Sequence, residues 1–227
     1  MKTILKEGQP KQQQYSFVRL TSSDLESVYD LEVKATEELP GIYIAKNRDF
    51  LKTCLEGRFT VGIMANQNLV GVLIISISDG NTGMYAEMLG KNLQAGELVA
   101  FREGSYLLPA FRGNSLAREL ASYSMRLLAE EGIKEVYSAV GPDHYRQLNR
   151  LTRGYGAVIQ KLYNAISSGT LRYLMYYPGQ QTYSLKDAEA VPAADHSRQK
   201  ELFEKGFVGT RLEFKDKEVL IHLQKPE

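Results

Sequence analysis

The 227-residue chain has little of what several specialised protein classes depend on. A single cysteine, Cys54, excludes an intramolecular disulfide and has no companion at zinc-ligand spacing. The three histidines, His144, His196 and His222, are scattered, so no metal is expected. With 28 basic and 27 acidic residues the net charge is only +1, and nothing indicates a nucleic-acid partner.

Long apolar runs are missing as well. No stretch approaches the roughly 18 uninterrupted apolar residues of a membrane span, so no membrane contact is expected. Residues 1–14 are polar and rich in Gln and Lys, without the apolar centre of a signal peptide, which predicts a cytoplasmic protein. The 43% hydrophobic and 24% charged residues are typical of a globular chain whose length suits one domain with an appendage.

Hydrophobic periodicity and turn residues predict a mixed α/β fold of short elements. The predicted strands are 15–20, 59–64, 69–78, 97–108, 134–140, 158–163 and 171–177, and the predicted helices are 25–35, 47–56, 115–131 and 143–153. A connector rich in Pro and Ala (188–194), a helix (195–205) and two strands (207–214 and 219–223) follow. We therefore divide the chain into a polar segment (1–14), a main domain (15–179) and a C-terminal extension (180–227).

Two segments have roles that the pattern leaves open. The connection 79–96 holds four glycines and no sustained period apart from a helical turn near 84–89. Long connections of this kind are often functional, so we expect substrate contacts there. The extension 180–227 has apolar faces that suit three roles: covering the edge of the sheet, forming a homodimer contact, or capping a substrate cleft.

The strongest chemical signal lies between Ser105 and Leu120. A strand end, Tyr106-Leu107-Leu108, is followed by Pro109 and then by Arg112-Gly113-Asn114-Ser115-Leu116-Ala117, which opens a helix. A helix start leaves about four backbone N–H groups without intrahelical partners and carries about half a positive charge. A tight turn of small residues lets a pyrophosphate lie against these donors. Because Pro109 cannot donate to a ladder, the last groups of the strand are left to pair with an extended ligand.

Other interpretations of this stretch are weaker. A dinucleotide fingerprint, Gly-x-Gly-x-x-Gly, is absent, and so is the Gly-Lys-Ser/Thr of a P-loop. A plain surface turn before an amphipathic helix would explain the apolar face of that helix, which is core in either case. It would not explain why strand, proline, arginine and small residues occur together, and this joint occurrence favours a cofactor turn.

Strand, Pro-x-x-Arg-Gly and helix together resemble motif A of the GNAT acetyltransferase superfamily, Gln/Arg-x-x-Gly-x-Gly/Ala. Arg112 and Ala117 match this pattern, while Ser115 replaces its central glycine. Gly141-Pro142-Asp143-His144 resembles the family's Pro-x-Asn, with His144, or Asp143 if the register shifts, in place of asparagine. Gly154-Tyr155-Gly156 resembles the family's Gly-Phe. The resemblance extends from residue 15 to residue 177. It implies a splayed, mostly antiparallel sheet flanked by helices.

The same resemblance implies a cofactor and a reaction. Acetyl-coenzyme A would be held by Leu107, Leu108, Arg112, Gly113, Asn114, Ser115, Leu116, Ala117 and His144. Proteins of this family bind acyl-coenzyme A and an amine together, and the amine attacks the thioester without a covalent enzyme intermediate. A small primary amine is therefore the expected partner. The backbone N–H groups around Leu107 and Leu108 are the predicted donors to the oxyanion.

Proton transfer needs a base and an acid. The family's common base is a carboxylate on the fourth strand, and Glu103 and Glu97 are the candidates, six residues apart and so on one face of an extended strand. The family's common acid is a tyrosine about four residues before Gly-Phe, where this chain has Arg150 or, one register on, Leu151. Tyr145, at the start of the same helix, is the candidate in its place.

Two alternative functions remain open from the sequence. The replacements at Ser115, His144 and Arg150 would suit a degenerate fold that binds or senses acyl-coenzyme A without turnover. An acyltransferase acting on a macromolecular amine, such as a protein N-terminus, would need an open groove where a small-molecule enzyme has a narrow pocket.

Overall fold

The computed structural model of the protein describes residues 3–4, 15–40, 46–78, 83–90, 96–165, 169–178, 183–216 and 218–227. It confirms a mixed α/β fold with an open, mixed and mostly antiparallel sheet. The strands are β1 (Thr3–Ile4), β2 (Tyr15–Arg19), β3 (Val61–Ala65), β4 (Asn68–Ser78), β5 (Val99–Leu107), β6 (Glu135–Val140), β7 (Val158–Asn164), β8 (Leu171–Tyr176), β9 (Tyr183–Pro192), β10 (Val208–Lys215) and β11 (Glu218–Pro226). The helices are α1 (Leu25–Glu38), α2 (Arg48–Glu56), α3 (Gly83–Leu89), α4 (Leu116–Glu130), α5 (Tyr145–Tyr155) and α6 (His196–Glu204).

The chain forms two compact units, residues 1–77 with 100–134, and residues 78–99 with 135–227. In the first unit the strand order is β1-β2-β3-β4-β5. The apolar faces of α1 and α2 pack on this sheet, and their buried residues are Val28, Leu31, Ala35, Leu51, Cys54 and Leu55. Cys54 is thus the small core residue that its helical spacing indicates. Burial raises the pKa of its thiol to about 12, so the thiol is neutral at physiological pH.

Close contact between β4 and β5 fixes the end of β5. A Cβ at Gly71 would lie 2.7 Å from Cδ1 of Leu107, so only glycine fits there without a shift. The Leu108 N–H donates to the Val70 carbonyl over 3.0 Å, and Ser76 contacts Glu103 further along the same two strands. The residue numbers of the paired positions increase along β4, from Val70 to Ser76, and decrease along β5, from Leu108 to Glu103. The two strands are therefore antiparallel.

The second unit has the strand order β6-β8-β7-β10-β11-β9. Gly209 of β10 lies opposite Ile159 of β7, so the C-terminal extension continues the sheet. The predicted helix and two strands of the extension are present, but the expected connector at 188–194 is wrong. It belongs largely to β9, because Val191 is buried and pairs with Ile221 of β11. The division predicted at residue 180 falls within this unit and stays a prediction.

One fully buried amide holds α6 in place. The Nε2 group of Gln199 donates to the carbonyls of Pro192 (2.8 Å) and Ala193 (3.1 Å). Its Oε1 atom accepts a 2.5 Å hydrogen bond from the Tyr173 hydroxyl, which is also buried. Burial raises the pKa of Tyr173 well above its usual value, so this hydroxyl remains a donor. The extension is therefore joined to β8 by a satisfied polar contact inside the core.

Candidate active site

The turn that opens α4 has an unusual backbone. Gly113 has φ +77° and Ser115 has φ +58°, so two of three consecutive residues are left-handed. Glycine adopts this conformation freely, whereas serine does so at a cost. The Ser115 carbonyl accepts from the N–H groups of Arg118 (2.9 Å) and Glu119 (3.0 Å), so the helix begins directly after the turn.

This turn fits an anionic ligand. The 15-residue α4 concentrates partial positive charge at its N-terminus, where Leu116 begins the helix. A Cβ built on Gly113 would meet no atom within 4 Å, so space beside the turn is open among the described residues. Small residues, a left-handed backbone and a helix start are what a pyrophosphate needs in order to approach backbone donors closely.

Replacing Ser115 tests how the turn tolerates a side chain. We expect Ser115→Gly to fold normally and to bind coenzyme A at least as tightly as the wild type, because glycine relieves the left-handed strain. Ser115→Val should lower the free energy of unfolding by about 1–2 kcal/mol, since a β-branched residue is a severe outlier at positive φ. Urea denaturation and calorimetric titration with coenzyme A measure both effects. Equal stability of the two variants would contradict the strained geometry.

Arg112 supports the turn from one side. Its Nε atom donates to the Leu107 carbonyl (2.8 Å) and its Nη2 atom to Oε2 of Glu38 (2.9 Å), while Nη1 contacts the other oxygen of Glu38. The Tyr106 hydroxyl also donates to Glu38, over 2.6 Å. These hydrogen bonds, first from Arg112 and then from Tyr106, hold the pKa of the Glu38 carboxyl below its usual range. The matched arginine is thus engaged with protein groups, a contact that the motif alone does not reveal.

The strand end supplies fewer ligand donors than expected. We predicted donors to the oxyanion from both Leu107 and Leu108, but the Leu108 N–H is directed at the Val70 carbonyl of β4. That part of the prediction is wrong, because pairing with β4 continues one residue beyond the assigned end of β5. Adjacent residues of a strand direct their N–H groups to opposite edges, so Leu107 directs its N–H group to the edge of β5 that does not face β4.

Of the two predicted bases, Glu103 lies on β5 and Glu97 does not. Glu103 is half-buried, and its Oε1 atom accepts a 2.6 Å hydrogen bond from the Ser76 hydroxyl of β4. Glu97 precedes β5, which begins at Val99, so the expectation that both carboxylates share one strand face is wrong. Residues 97 and 98 stand before the strand and are not part of it.

A buried ion pair accompanies Glu103 in the first unit. Glu32 is fully buried on α1, and its Oε2 atom accepts the Lys46 backbone N–H (3.1 Å) and lies 3.8 Å from the Lys46 ammonium. Burial lowers the pKa of Lys46, and the carboxylates of Glu32 and Glu103 oppose that shift. Sequence reasoning missed this pair. Helical spacing could have shown that Glu32 is buried, because it stands four residues after Val28 on the buried stripe of α1, but it does not identify Lys46 as the partner.

The predicted acid and the neighbouring histidine lie in the second unit. Tyr145 is the first residue of α5 and is half-buried, and the backbone N–H of His144 before it donates to the Gly141 carbonyl (3.1 Å). The helix is followed by the left-handed Gly156. The glycine that ends the helix therefore stands two residues after Gly154, the first glycine of the segment that resembles Gly-Phe. Four residues before Gly156 stands Thr152, so the position of the family's tyrosine falls on Thr152 and not on Arg150. Its buried hydroxyl lies 3.3 Å from the Asn149 carbonyl, which makes it no substitute for a tyrosine acid.

The part of the chain that the structure describes has neither a metal-ligand cluster nor a membrane-spanning helix. Within those residues, no three His, Cys, Asp or Glu side chains come together as a set that could hold a metal ion. Nor does any helix there have the length and apolar character needed to cross a membrane.

The structure describes only part of the predicted substrate segment 79–96. At 83–90 it shows α3, which forms around the expected helical turn, and it also describes residue 96. The remainder of the segment lies outside the described residues.

Comparison with known proteins identifies the family. The model of the acetyltransferase (GNAT) family matches residues 25–156, more than half of the chain and including the whole turn. No curated protein matches the sequence.

Solved structures with the same fold include a loading domain and two acetyltransferases. The GNATL loading domain of CurA from Lyngbya majuscula has a TM-score of 0.55 at 16% identity, over 72% of this chain and 96% of that one. Arylalkylamine N-acetyltransferase 2 from Aedes aegypti has a TM-score of 0.53 at 14% identity, over 73% and 99%. The polyamine N-acetyltransferase of Drosophila melanogaster has a TM-score of 0.52 at 12% identity, over 71% and 98%. At such identities the likeness shows a shared fold.

Proposed function

Because the chain belongs to the GNAT acetyltransferase family, whose members are generally acyl-coenzyme A-dependent, we propose that it transfers an acetyl or other short acyl group to a small primary amine. The observation that carries this proposal is the continuity of one segment. A half-buried carboxylate, a strand end and an anion-binding turn follow one another from Glu103 to Leu116 without interruption. This continuity supports a base and a cofactor-binding turn on one stretch of the chain.

The turn at residues 112–115 and the start of α4 would bind the pyrophosphate of coenzyme A. From the turn, the rest of the ligand would extend along β5 towards Glu103. Leu107 and Glu103 are four residues apart on this strand, which corresponds to about 13 Å. The Leu107 N–H would donate to the extended ligand or to the oxyanion. The thioester supplies the acyl group when bound, and the residues around it position the attacking amine.

Glu103 would remove the proton from the amine, directly or through a water molecule. The Ser76 hydroxyl, which donates to Oε1 over 2.6 Å, helps to fix the orientation of the carboxylate. Tyr145 is retained as the proposed acid for the departing thiolate, with His144 beside it as a proposed cofactor contact. Two relatives by fold are named as acetyltransferases of arylalkylamines and polyamines, and a third, the NatC complex, is bound to a peptide, so small amines and peptides both belong in a panel of acceptors.

Thiol release measured with a panel of amines tests this proposal. The full chain would be incubated with acetyl-coenzyme A and with arylalkylamines, polyamines or peptides bearing free N-termini, and acetylated products would be identified by mass spectrometry. The protein adds little background to a thiol assay because its single cysteine, Cys54, is buried. Turnover of a small amine is the expected result.

The other results separate the alternative functions. Turnover of peptides alone would favour a macromolecular acceptor and count against a small one. Tight binding of acetyl-coenzyme A without turnover of any amine would favour a sensing module. An absence of coenzyme A binding would overturn the proposal altogether.

A further inference from the structure

We propose that Glu38 is a positioning residue for the coenzyme A turn at residues 112–115, acting through Arg112; this inference rests on the proposed function. Glu38 is the last residue of α1, far from the turn in sequence, and it does not belong to the family pattern discussed above. Its side chain nevertheless contacts the first residue of the turn with both carboxylate oxygens.

The turn needs external support because its backbone is strained. Gly113 and Ser115 are both left-handed, and Ser115 has no side-chain capping bond to the helix that follows. A non-glycine residue in this region persists only when its surroundings over-determine the conformation. The family's central glycine would remove this strain, so a chain with serine depends more strongly on neighbouring contacts.

Arg112 supplies these contacts through its rigid, planar guanidinium. One edge is fixed to β5 by the 2.8 Å bond from Nε to the Leu107 carbonyl, and the other is fixed to α1 by the two contacts with Glu38. The Tyr106 hydroxyl holds Glu38 from a third direction. Arg112 therefore joins a helix end and a strand end to the turn, a geometry that lysine cannot reproduce.

Competition between Glu38 and the pyrophosphate for Arg112 would have the opposite effect on coenzyme A binding. If Glu38 merely competed with the pyrophosphate for Arg112, removing its charge would strengthen coenzyme A binding. If Glu38 positions the turn, removing it lowers the fraction of molecules with a binding-competent turn, and the apparent dissociation constant rises by the same factor. The sign of the effect thus distinguishes the two roles.

A double-mutant cycle tests the positioning role on the full chain. Calorimetric titration with coenzyme A would compare the wild type, Glu38→Gln, Arg112→Lys and the double variant. We expect each single substitution to weaken binding about fivefold, the size typical of a partly exposed ion pair. The double variant should be no weaker than either single one, since each substitution removes the same brace. In the thiol assay, KM for acetyl-coenzyme A should rise while kcat stays unchanged.

Glu37→Gln is the matched control, because it removes the same charge from the neighbouring exposed position at the end of α1. It should bind coenzyme A as the wild type does, and all variants should unfold at the same temperature. Wild-type or tighter binding by Glu38→Gln, or additive losses in the double variant, would overturn the positioning role alone. Failure of the wild-type chain to bind coenzyme A would overturn the proposed function as well.

Discussion

Replacing Glu103 with glutamine is expected to lower kcat for acetyl transfer by about 100-fold to 1,000-fold, the usual contribution of a general base. Glutamine keeps the size of the side chain and can still accept the hydrogen bond from Ser76, but it cannot take up a proton. KM for acetyl-coenzyme A should change little, because the cofactor turn begins nine residues later at Arg112. Steady-state thiol release with the best amine of the panel measures both constants.

The pH dependence separates a lost base from a disturbed fold. At higher pH a larger share of the amine is already neutral, so the deficit of Glu103→Gln should shrink as pH rises. Ser76→Ala should show a smaller loss, about tenfold, because the carboxylate remains but loses an orienting hydrogen bond. Glu56→Gln, an exposed change on α2, is the control and should behave as the wild type. A Glu103→Gln enzyme as fast as the wild type would refute Glu103 as the base.

Replacing Lys46 with methionine should reduce the free energy of unfolding by about 3 kcal/mol, since removing one partner of a buried ion pair leaves the other charge in the core. Glu32 is fully buried, and the Lys46 side chain is only 13% exposed. The variant would keep the apolar stem of the lysine but not the ammonium beside Oε2 of Glu32. Urea denaturation monitored by circular dichroism gives the difference directly.

A second variant shows whether charge causes the loss. Glu32→Gln combined with Lys46→Met removes both charges, and most of the lost stability should return, to within about 1 kcal/mol of the wild type. Lys52→Met is the matched control, because Lys52 is exposed and pairs with Glu56 along one face of α2. It should cost no more than about 0.5 kcal/mol. A double variant as unstable as Lys46→Met would indicate that shape, not charge, dominates at this site.

Most of the elements that position the candidate site could be predicted from the sequence because they are locally encoded. α4 shows a clear helical period, and Pro109, Arg112 and Gly113 before it mark the turn without reference to other parts of the chain. The helix and the two following strands of the extension, α6, β10 and β11, are also predicted from their local sequence pattern. Where local pattern and tertiary contact agree, periodicity is sufficient.

Features that depend on distant residues could not be predicted in this way. β9 has a composition typical of a connector and becomes a strand through pairing with β11. The Leu108 N–H is directed by Val70 of β4, and the partners of Arg112 include Glu38 on α1. The end of α5 was misplaced by two residues because its sequence has two glycines, and only Gly156 takes up the left-handed conformation. Tertiary context decided each of these cases.

The pairing of Gly209 with Ile159 has a consequence for the solubility of the chain. Without β10, the backbone of β7 would form the outer border of its sheet, and exposed strand borders recruit other chains into aggregates. The extension moves that border outward to β9, which ends on Pro192, a residue that has no N–H to offer an incoming strand. We therefore expect residues 183–226 to reduce pairing of this sheet with other chains, independently of any role in binding an amine.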